Sequence, residues 1–547
     1  MSESVHTALV RDYLRSYFEY QPEYAFFLGL HEYAGRIGDP SRAASDARIA
    51  RLQDFQRGLA AVEREELSET QRFDLDLVRG AVEYELYSLE DLREREWNPM
   101  AYLGPTGVSS YAKRSYAPLE DRVQHMTAHL RGVPGYLAIG LENLRPDLAR
   151  PVLEASVEAF DGQVAYLRGE ARQSVEDVSD ETLLREFDAA SQAAADALEE
   201  FTGRLRERLP DAHGDFAIGT QSYERMLSTG EMVDMSVQRV LEVGMADLRR
   251  NQELLRETAN KIAPGADVAE TVRALGKEHP TADQLIPETA DMLEELRSFI
   301  IEREIATVPS EVRCKVEETP PFMRWAFAAM DPPGPFETVA TEAYYYVTPV
   351  EPEWSPEKQE EWLSRFDYYT LRDVSVHEAY PGHYLHFLHL QQAPSDASKA
   401  LISYAFTEGW AHYCEQMMVE AGYRDHDPKL QLAQLIEALL RDCRYIVSIL
   451  MHTQGMSVED ATRFLMHEAY MEELPASREA QRGTFDPGYL YYTLGKLMLL
   501  KLREDYERER GADFNLHEFH DRCLSYGAPP VPLLRRQMLT DASGPAL

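Results

Sequence analysis

The sequence predicts a mainly α-helical protein with one small β element, and two observations support this fold class. The first is the spacing of apolar residues in 183–209, which recur at steps of three, four and seven in an otherwise charged segment. This spacing is typical of one apolar face of a helix. The residues concerned are Leu183, Phe187, Ala194, Leu198, Phe201, Leu205 and Leu209. Similar patterns run through 118–150, 236–260 and 284–305, and the helical pattern returns after Pro356.

The second observation is a change of composition at 319–353. The stretch TPPFMRWAFAAMDPPGPF contains five prolines, and ETVATEAYYYVTPV follows it. The second stretch is rich in β-branched and aromatic residues, which predicts a short β element at about 336–350 beside the active-site helix. We place a boundary near residue 310, between a helical half (1–310) and a catalytic half (311–547). The two halves are expected to form one intertwined unit.

Composition excludes several classes of function. The chain has 547 residues and a formal net charge of −38, so we expect no binding to nucleic acids or anionic membranes, which need a basic surface. No stretch approaches 18 apolar residues, and the N-terminus lacks the apolar core of a secretory signal. The cysteines at 314, 414, 443 and 523 are widely spaced, without a CxxC pair. This usage favours a reducing cytoplasm.

The sharpest motif is HEAYPGH, which spans His377 to His383. Two imidazoles with Glu378 beside the first are typical of a zinc hydrolase helix, in which the histidines hold the metal and the Glu takes a proton from the attacking water. The histidines are six residues apart, about 240° around a regular helix, so they converge only if the helix breaks between them. Pro381 and Gly382 favour such a break. The alternative is two partly exposed histidines near a kink.

A further metal ligand is expected on a helix downstream. In TEGWAHYCE, Glu408, His412 and Glu415 are spaced by four and three and share one helical face. Acidic groups within an apolar stretch are costly to bury unless they meet a metal or another cation. The alternative is that Glu408 and Glu415 are ordinary surface carboxylates.

HEAYPGHYLH followed by TEGWAHYCEQ resembles the bacterial DUF885 family, which is similar to gluzincin-type zinc metallopeptidases. The resemblance extends from PEYAFFLGLHEYAGRIGDPS through AYYYVTPVEPEW and RGTFDPGYLYYTLGKLMLLKLREDY to FHDRCLSYGAPPVPLL. It implies that His377, His383 and Glu408 bind one Zn²⁺ ion and that Glu378 is the general base. It implies a reaction class and leaves the substrate open.

A second helix could contribute to the site. Arg444, Ser448 and His452 fall on one helical face, and an Arg and a His on an otherwise apolar face suggest recognition of a carboxylate or an oxyanion. The family resemblance is to an Arg–Asp–His pattern, from which Ser448 departs. The alternative is that Arg444 pairs with Glu415 or another buried acid.

A third helix carries three further candidates. Asp486 is expected to cap a helix that begins at Pro487, and Tyr489, Tyr492 and Lys496 then share a face. We predict that Tyr492 donates a hydrogen bond to the tetrahedral intermediate, with packing as the alternative.

Three other histidines are not expected to bind the metal or take part in the reaction. His467 with Glu468 repeats the start of the motif without a second histidine, which predicts a surface turn of helix. His386 and His389 are expected to pack beside the ligands, although either could replace one of them.

The leading prediction is a zinc-dependent hydrolase that cleaves short peptides, with Glu378 as base and His452, Tyr492 and Arg444 as further site residues. The strand near 343–348 is expected to bind an extended peptide by edge addition. The alternatives are an amidase or esterase with the same metal, and a non-catalytic metal-binding protein.

Overall fold

The computed structural model describes residues 5–320, Arg324 and residues 327–547. The fold is mainly α-helical with one three-stranded sheet, as predicted. The described residues divide into two compact units. None of the described helices is long and apolar enough to cross a membrane.

Unit 1 comprises the described residues up to Gly230 together with Pro333–Thr341. Its helices are α1 (Val5–Tyr20), α2 (Pro22–Phe27), α3 (Arg42–Ala60), α4 (Glu69–Tyr87), α5 (Ser109–Lys113), α6 (Leu119–Asn143), α7 (Arg150–Arg168), α8 (Glu170–Gln173), α9 (Glu181–Arg208) and α10 (Thr220–Gly230).

Helix α9 shows how the sequence pattern becomes a core. Asp180 caps it by accepting hydrogen bonds from the N–H groups of Thr182 and Leu183. The predicted apolar face is buried from Leu183 to Leu205. Phe201 contacts Phe160 with ring centroids 4.9 Å apart, which is the spacing of a favourable aromatic pair.

The segment Pro333–Thr341 belongs to unit 1 although both of its flanks belong to unit 2. The Phe336 N–H donates to the Leu28 carbonyl at 2.9 Å, and the Glu337 carboxylate pairs with His31 at 2.8 Å. A methyl group on Gly29 would lie 2.5 Å from the Glu337 nitrogen, so glycine is required for this approach.

Unit 2 comprises residues 231–332 and 342–547 among those described. Its first elements are α11 (Val237–Ile262), α12 (Val268–Leu275), α13 (Leu285–Glu302), β1 (Lys315–Glu318), β2 (Ala328–Asp331), β3 (Tyr344–Val347), α14 (Pro356–Leu363), α15 (Tyr368–Glu378) and α16 (His383–Leu390). They are followed by α17 (Asp396–Ala400), α18 (Tyr404–Glu420), α19 (Pro428–Gln454), α20 (Val458–Glu468), α21 (Glu473–Phe485), α22 (Tyr491–Arg510), α23 (Leu516–Leu524) and α24 (Val531–Met538).

The division falls at Gly230, and the boundary predicted near residue 310 lies within unit 2. Helices α11 to α13 therefore group with the half that carries the motifs. Close packing of α11 on α19 explains this grouping. A methyl group on Gly244 would lie 2.3 Å from the ring of Tyr445, and the Tyr445 hydroxyl donates to the Val240 carbonyl.

The sheet has the order β1-β3-β2. β3 pairs in parallel with β1 and antiparallel with β2, with Tyr345 opposite Val316 and Met330. The predicted strand is present at Tyr344–Val347, whereas residues 336–343 form no strand because that part of the chain turns into unit 1. β2 arises inside the proline-containing stretch, where no strand was predicted. Part of that stretch lies outside the described residues.

Two glycines bring α22 close to α18. A methyl group on Gly495 would lie 1.7 Å from the Ala405 carbonyl oxygen, and one on Gly409 would lie 2.4 Å from the Gly495 Cα. No larger residue fits at either position without moving a helix. This contact holds the start of α22 beside the first turns of α18.

Candidate metal centre

The HEAYPGH motif is not one helix. Helix α15 ends at Glu378 and α16 begins at His383, so the chain breaks between the two histidines, as their spacing requires. The Gly382 N–H donates to the Val376 carbonyl at 3.0 Å. A methyl group on Gly382 would lie 1.8 Å from the His377 carbonyl oxygen, so this reversal needs glycine.

The EGWAHY helix holds the break in place. The indole N–H of Trp410 on α18 donates to the Pro381 carbonyl at 2.9 Å. Trp410 is 1% exposed, so this bond is shielded from water and fixes one motif against the other.

His377, His383 and Glu408 converge on one point. Their ligand atoms lie within 4.8 Å of one another, and Glu408 Oε2 is 3.4 Å from His377 Nε2 and 3.5 Å from His383 Nε2. Ligands on a tetrahedral zinc at about 2.0–2.1 Å are about 3.3 Å apart. Two imidazoles and a carboxylate form a zinc-type donor set, so these residues fit a metal ion.

The electrostatics of the cluster call for a cation. Burial alone lowers the pKa of His377, but the carboxylates of Glu408 and Glu415 outweigh burial and raise it to about 10. Burial raises the pKa of Glu408, and its two histidine partners more than reverse this, leaving it well below the usual range. An anionic Glu408 at this depth needs a positive partner, either a proton on an imidazole or a metal ion.

Glu415 orients the His377 imidazole through Nδ1, the ring nitrogen that is not in the cluster. The His377 Nδ1–H donates to Glu415 Oε1 at 2.6 Å, which directs Nε2 toward the cluster. His412 Nδ1 donates to Glu415 Oε2 at 2.9 Å, and Arg441 lies 3.2 Å from Oε1. Glu415 is therefore a buried carboxylate with three partners. Burial lowers the pKa of His412 to about 3, so its imidazole is neutral.

Glu378 is adjacent to the cluster but contacts the sheet. Its Oε2 accepts a hydrogen bond of 2.9 Å from the Met330 N–H of β2. The carboxylate is half-buried, so it is held in one orientation while one side remains accessible.

Two phenols adjoin Glu408. Tyr404 lies one helical turn before Glu408 on α18, and its hydroxyl is 3.1 Å from that of Tyr492 on α22. Burial and then the negative charge of Glu408 raise the pKa of both phenols, so both stay protonated and remain donors.

Arg444 and His452 pair with groups other than the cluster residues. Arg444 forms a two-bond pair with Glu479 on α21, at 2.7 and 3.0 Å, and Arg441, one turn earlier, is the residue that pairs with Glu415. His452 Nε2 bonds to the Gly483 carbonyl at 2.8 Å. It lies three turns beyond Arg441, about 16 Å along the helix. The structure does not bring His452 to the metal cluster.

The helix predicted to start at Pro487 begins at Tyr491 instead, after a turn of 3₁₀ helix. Asp486 does not cap it and pairs with Arg482 at 3.1 Å. Tyr489 bonds to Glu479, and the buried Lys496 pairs with Asp247 at 3.1 Å.

The remaining histidines stay outside the cluster. His386 is fully buried beside Phe406, with ring centroids 5.3 Å apart. His389 Nε2 bonds to the Thr307 carbonyl at 2.8 Å, and His467 is exposed near the end of α20.

Sequence reasoning missed Tyr404, Arg441 and Arg482. The signal for Arg441 was its position one turn before Arg444 on the same face. Tyr404 could have been found from its spacing of four to Glu408, whereas nothing in the spacing of Arg482 points to the site.

The fold and the cluster define a mainly α-helical protein with a His–His–Glu candidate metal centre. The chain belongs to the family described as bacterial protein of unknown function (DUF885), whose model matches residues 22–538. No curated protein matches the sequence.

Two solved structures share the fold. One is a candidate lipoprotein of unknown function from Shewanella oneidensis, with 24% identity and a TM-score of 0.82, covering 98% of this chain and 100% of the other. The second is a candidate lipoprotein from Colwellia psychrerythraea, with 19% identity and a TM-score of 0.83, covering 98% of this chain and 99% of the other.

Proposed function

We propose that this protein is a zinc-dependent hydrolase that cleaves peptide bonds in short peptides, with Glu378 as the general base. The observation that carries the proposal is the place of Glu378, one residue after the ligand-type His377 and oriented by the Met330 N–H. The two histidines, the adjacent glutamate and a glutamate from a later helix resemble the arrangement in gluzincin-type metallopeptidases.

Each residue has a definite task in this proposal. His377, His383 and Glu408 would hold the zinc, which when bound lowers the pKa of a water molecule to about 7 and polarises the scissile carbonyl. Glu378 accepts the proton of the attacking water at its carboxylate and later delivers it to the leaving amine. The hydroxyls of Tyr492 and Tyr404 lie on the Glu408 side, where they can donate to negative charge that develops on the substrate oxygen.

The strand that would align a peptide is β2. β3 was expected to bind a peptide by edge addition, but both of its edges are paired. The Thr348 N–H donates to the Phe327 carbonyl, so the backbone hydrogen-bonding groups of Phe327 face β3. Because these groups face opposite edges at successive residues of a strand, those of Ala328 and Met330 face away from β3. The Met330 N–H meets Glu378 on that side. An extended peptide bound there would pass directly beside the proposed base.

Zinc content and turnover test the proposal together. Purified protein is expected to contain about one zinc per chain, lost to a chelator and regained on adding zinc. His383→Ala should abolish zinc binding, whereas Glu378→Gln should keep the zinc and lower turnover by about 10²- to 10⁴-fold. His389→Ala is the matched control, because His389 lies on the same helix outside the cluster. Protein that binds no zinc even when zinc is supplied would overturn the proposal.

Two alternatives use the same residues. A non-peptide amide or an ester offers the same carbonyl, and a panel of dipeptides, N-acyl amino acids and esters separates these substrates by their kcat/KM values. A structural metal site is the other alternative. Structural zinc sites are usually closed by four ligands, whereas three protein ligands beside a half-buried glutamate favour catalysis.

We also propose a reducing cytoplasm as the compartment. All four cysteines are buried and unpaired, which fits a protein without structural disulfides. The two similar structures are of candidate lipoproteins, so cell fractionation with an antibody is the direct test.

A further inference from the structure

Beside the cluster, helices α18, α19, α21 and α22 bring two phenols and two guanidinium groups together. The hydroxyls of Tyr404 and Tyr492 are 3.1 Å apart. The guanidinium of Arg444 lies 5.4 Å from the ring centre of Tyr492. The guanidinium of Arg482 lies over the ring of Tyr489, three residues before Tyr492. Burial and the charge of Glu408 raise the pKa of Tyr492, and the charges of Arg482 and Arg444 lower it.

The two arginines differ in how fully they are neutralised. Arg444 binds both oxygens of Glu479, at 2.7 and 3.0 Å, and its side chain is 13% exposed. Arg482 directs Nε and Nη2 to a single oxygen of Asp486, at 3.2 and 3.1 Å, and its side chain is 33% exposed. Charge-assisted bonds are usually about 2.7–2.9 Å. The Arg482 pair is therefore the weaker and more accessible of the two.

Arg482 is nevertheless fixed in orientation. Its guanidinium lies 4.9 Å from the ring centre of Tyr489, which holds the group in one plane. Its bonds to Asp486 do not use Nη1. Asp486 contributes only one of its two oxygens to this pair. An incoming carboxylate could contribute both of its oxygens and bind the guanidinium at shorter distances.

We propose that Arg482, next to the phenols of Tyr404 and Tyr492, binds the C-terminal carboxylate of the substrate, so that the enzyme cleaves short peptides near their free carboxyl end. This inference rests on the proposed peptidase function and names its substrate class.

Charge explains why such a subsite is needed. The chain carries a net charge of −38, which repels anionic ligands. A free peptide carboxylate therefore needs a local cation that is not already matched by a two-bond partner. Arg482 meets this requirement and Arg444 does not. The position of Tyr404 one turn before Glu408 places the subsite next to the candidate metal ligands.

Binding to a catalytically silent protein tests the inference directly. Zinc-loaded Glu378→Gln protein is titrated in a calorimeter with an N-acetylated tripeptide acid, with its C-terminal amide, and with an amide that carries a glutamate side chain. The acid is expected to bind about 10- to 100-fold more tightly than either amide, the effect of one charge-assisted hydrogen bond. Adding Arg482→Gln should remove this preference, and Arg482→Lys should restore part of it.

The control is Arg478→Gln, which makes the same change at an exposed position one turn earlier on α21. It should leave the preference for the acid intact. Equal binding of acid and amide, or an acid preference that survives Arg482→Gln, would overturn the inference. Tight binding of the glutamate-containing amide would also overturn it, because the subsite would then recognise side-chain carboxylates.

Turnover separates this inference from the proposed function. Wild-type protein that cleaves acid and amide with the same kcat/KM is a peptidase without this specificity. Protein that cleaves neither peptide, yet binds the acid through Arg482, refutes the peptidase proposal and leaves the carboxylate subsite standing.

Discussion

The buried carboxylate of Glu415 serves three partners, and its loss should weaken the metal site without removing a ligand. Glu415→Gln offers one acceptor oxygen in place of two and leaves Arg441 with Glu437 as its remaining acidic partner. We expect zinc affinity to fall by about 10- to 100-fold, as is usual when the partner of a metal-binding histidine is changed. Competition with a chelating dye measures this.

Glu420→Gln is the control for this change, because Glu420 lies on the same helix and binds Arg503 near the surface. Its zinc affinity should match that of the wild type. Unchanged affinity in Glu415→Gln would mean that the orientation of His377 does not depend on this carboxylate.

The phenol of Tyr492 is the second residue with a specific expectation. If it donates to the developing oxyanion, Tyr492→Phe should lower kcat by about 10²- to 10³-fold and leave zinc content unchanged. Tyr404→Phe should have a smaller effect, because this hydroxyl bonds to Tyr492. Metal analysis and steady-state kinetics on the same preparations check both. A normal kcat in Tyr492→Phe would mean that the role of this phenol is packing.

At this scale the sequence was informative where spacing sufficed. The break between His377 and His383 followed from their spacing, and the structure brings both close to Glu408, the residue that the family resemblance implied. The partner of Arg444 could not be predicted, since Arg441 and Arg444 are one turn apart on α19 and both are largely buried. Which carboxylate each meets depends on how α18 and α21 pack against α19.

Among the elements, the reversal between α15 and α16 depends on Gly382. Gly382→Ala places a methyl group 1.8 Å from the His377 carbonyl oxygen, so the turn must open and the histidines must separate. We expect loss of zinc binding together with a lower melting temperature. Gly455→Ala is an informative comparison, because Gly455 has a positive φ of 72° but open space around it. Its strain should lower stability and leave zinc binding intact.

The start of α18 contacts a pH-sensitive group, the carboxylate of Glu231, which lies between α10 and α11 in the chain. Burial raises the pKa of Glu231 to about 7, although Ser403 and the Ala405 N–H donate to its carboxylate. In the unfolded chain its pKa is the ordinary 4.5. The folded state therefore binds this proton more tightly, and the contribution to stability is complete below about pH 4.5 and lost as pH rises through 7.

This shift predicts how Glu231→Gln behaves. The amide is neutral at every pH, so the melting temperature of the variant relative to the wild type should rise between pH 5 and pH 8. Glu253→Gln, at an exposed position on α11, should follow the wild type throughout. If the melting temperatures of Glu231→Gln and the wild type instead differ by the same amount at every pH, Glu231 is ionised in the folded protein throughout this range.

Element prediction succeeded for the helices and for the presence of a small β element, but not for the number and order of its strands. Long periodic segments such as α9 and α11 were found within a few residues. β2 was hidden among prolines, and β3 was expected at an edge although it is the central strand. Strand order depends on contacts between distant segments, which residue periodicity does not encode.

For the whole molecule, the clearest expectation concerns metal removal. A ligand that binds only the folded state stabilises it by about 4 kcal/mol at 1,000 times its Kd. Chelation should therefore lower the melting temperature of unit 2 by about 6 °C. His383→Ala should melt at the same temperature with and without chelator. A wild-type melting temperature that is the same with and without chelator would argue against a tightly held metal.

The fold class was predictable from the sequence, but the position at which the chain divides into two units was not. Composition and periodicity indicated a mainly helical chain, whereas the boundary at Gly230 depends on α11 packing against α19, a contact between segments about 200 residues apart in sequence. Local patterns contain no information about such pairings.

The membership of Pro333–Thr341 in unit 1 has a consequence for biosynthesis. Ribosomes add about 5–20 residues per second, and about 110 residues separate Gly230 from the end of this segment. The nascent unit 1 therefore waits about 5 to 20 s for its last piece, with the backbone at Leu28 and the imidazole of His31 not yet paired. During that interval helices α11 to α13 are synthesised ahead of the segment that completes unit 1. Synonymous codons that slow translation between 231 and 341 should lengthen the period in which a chaperone can bind the incomplete unit.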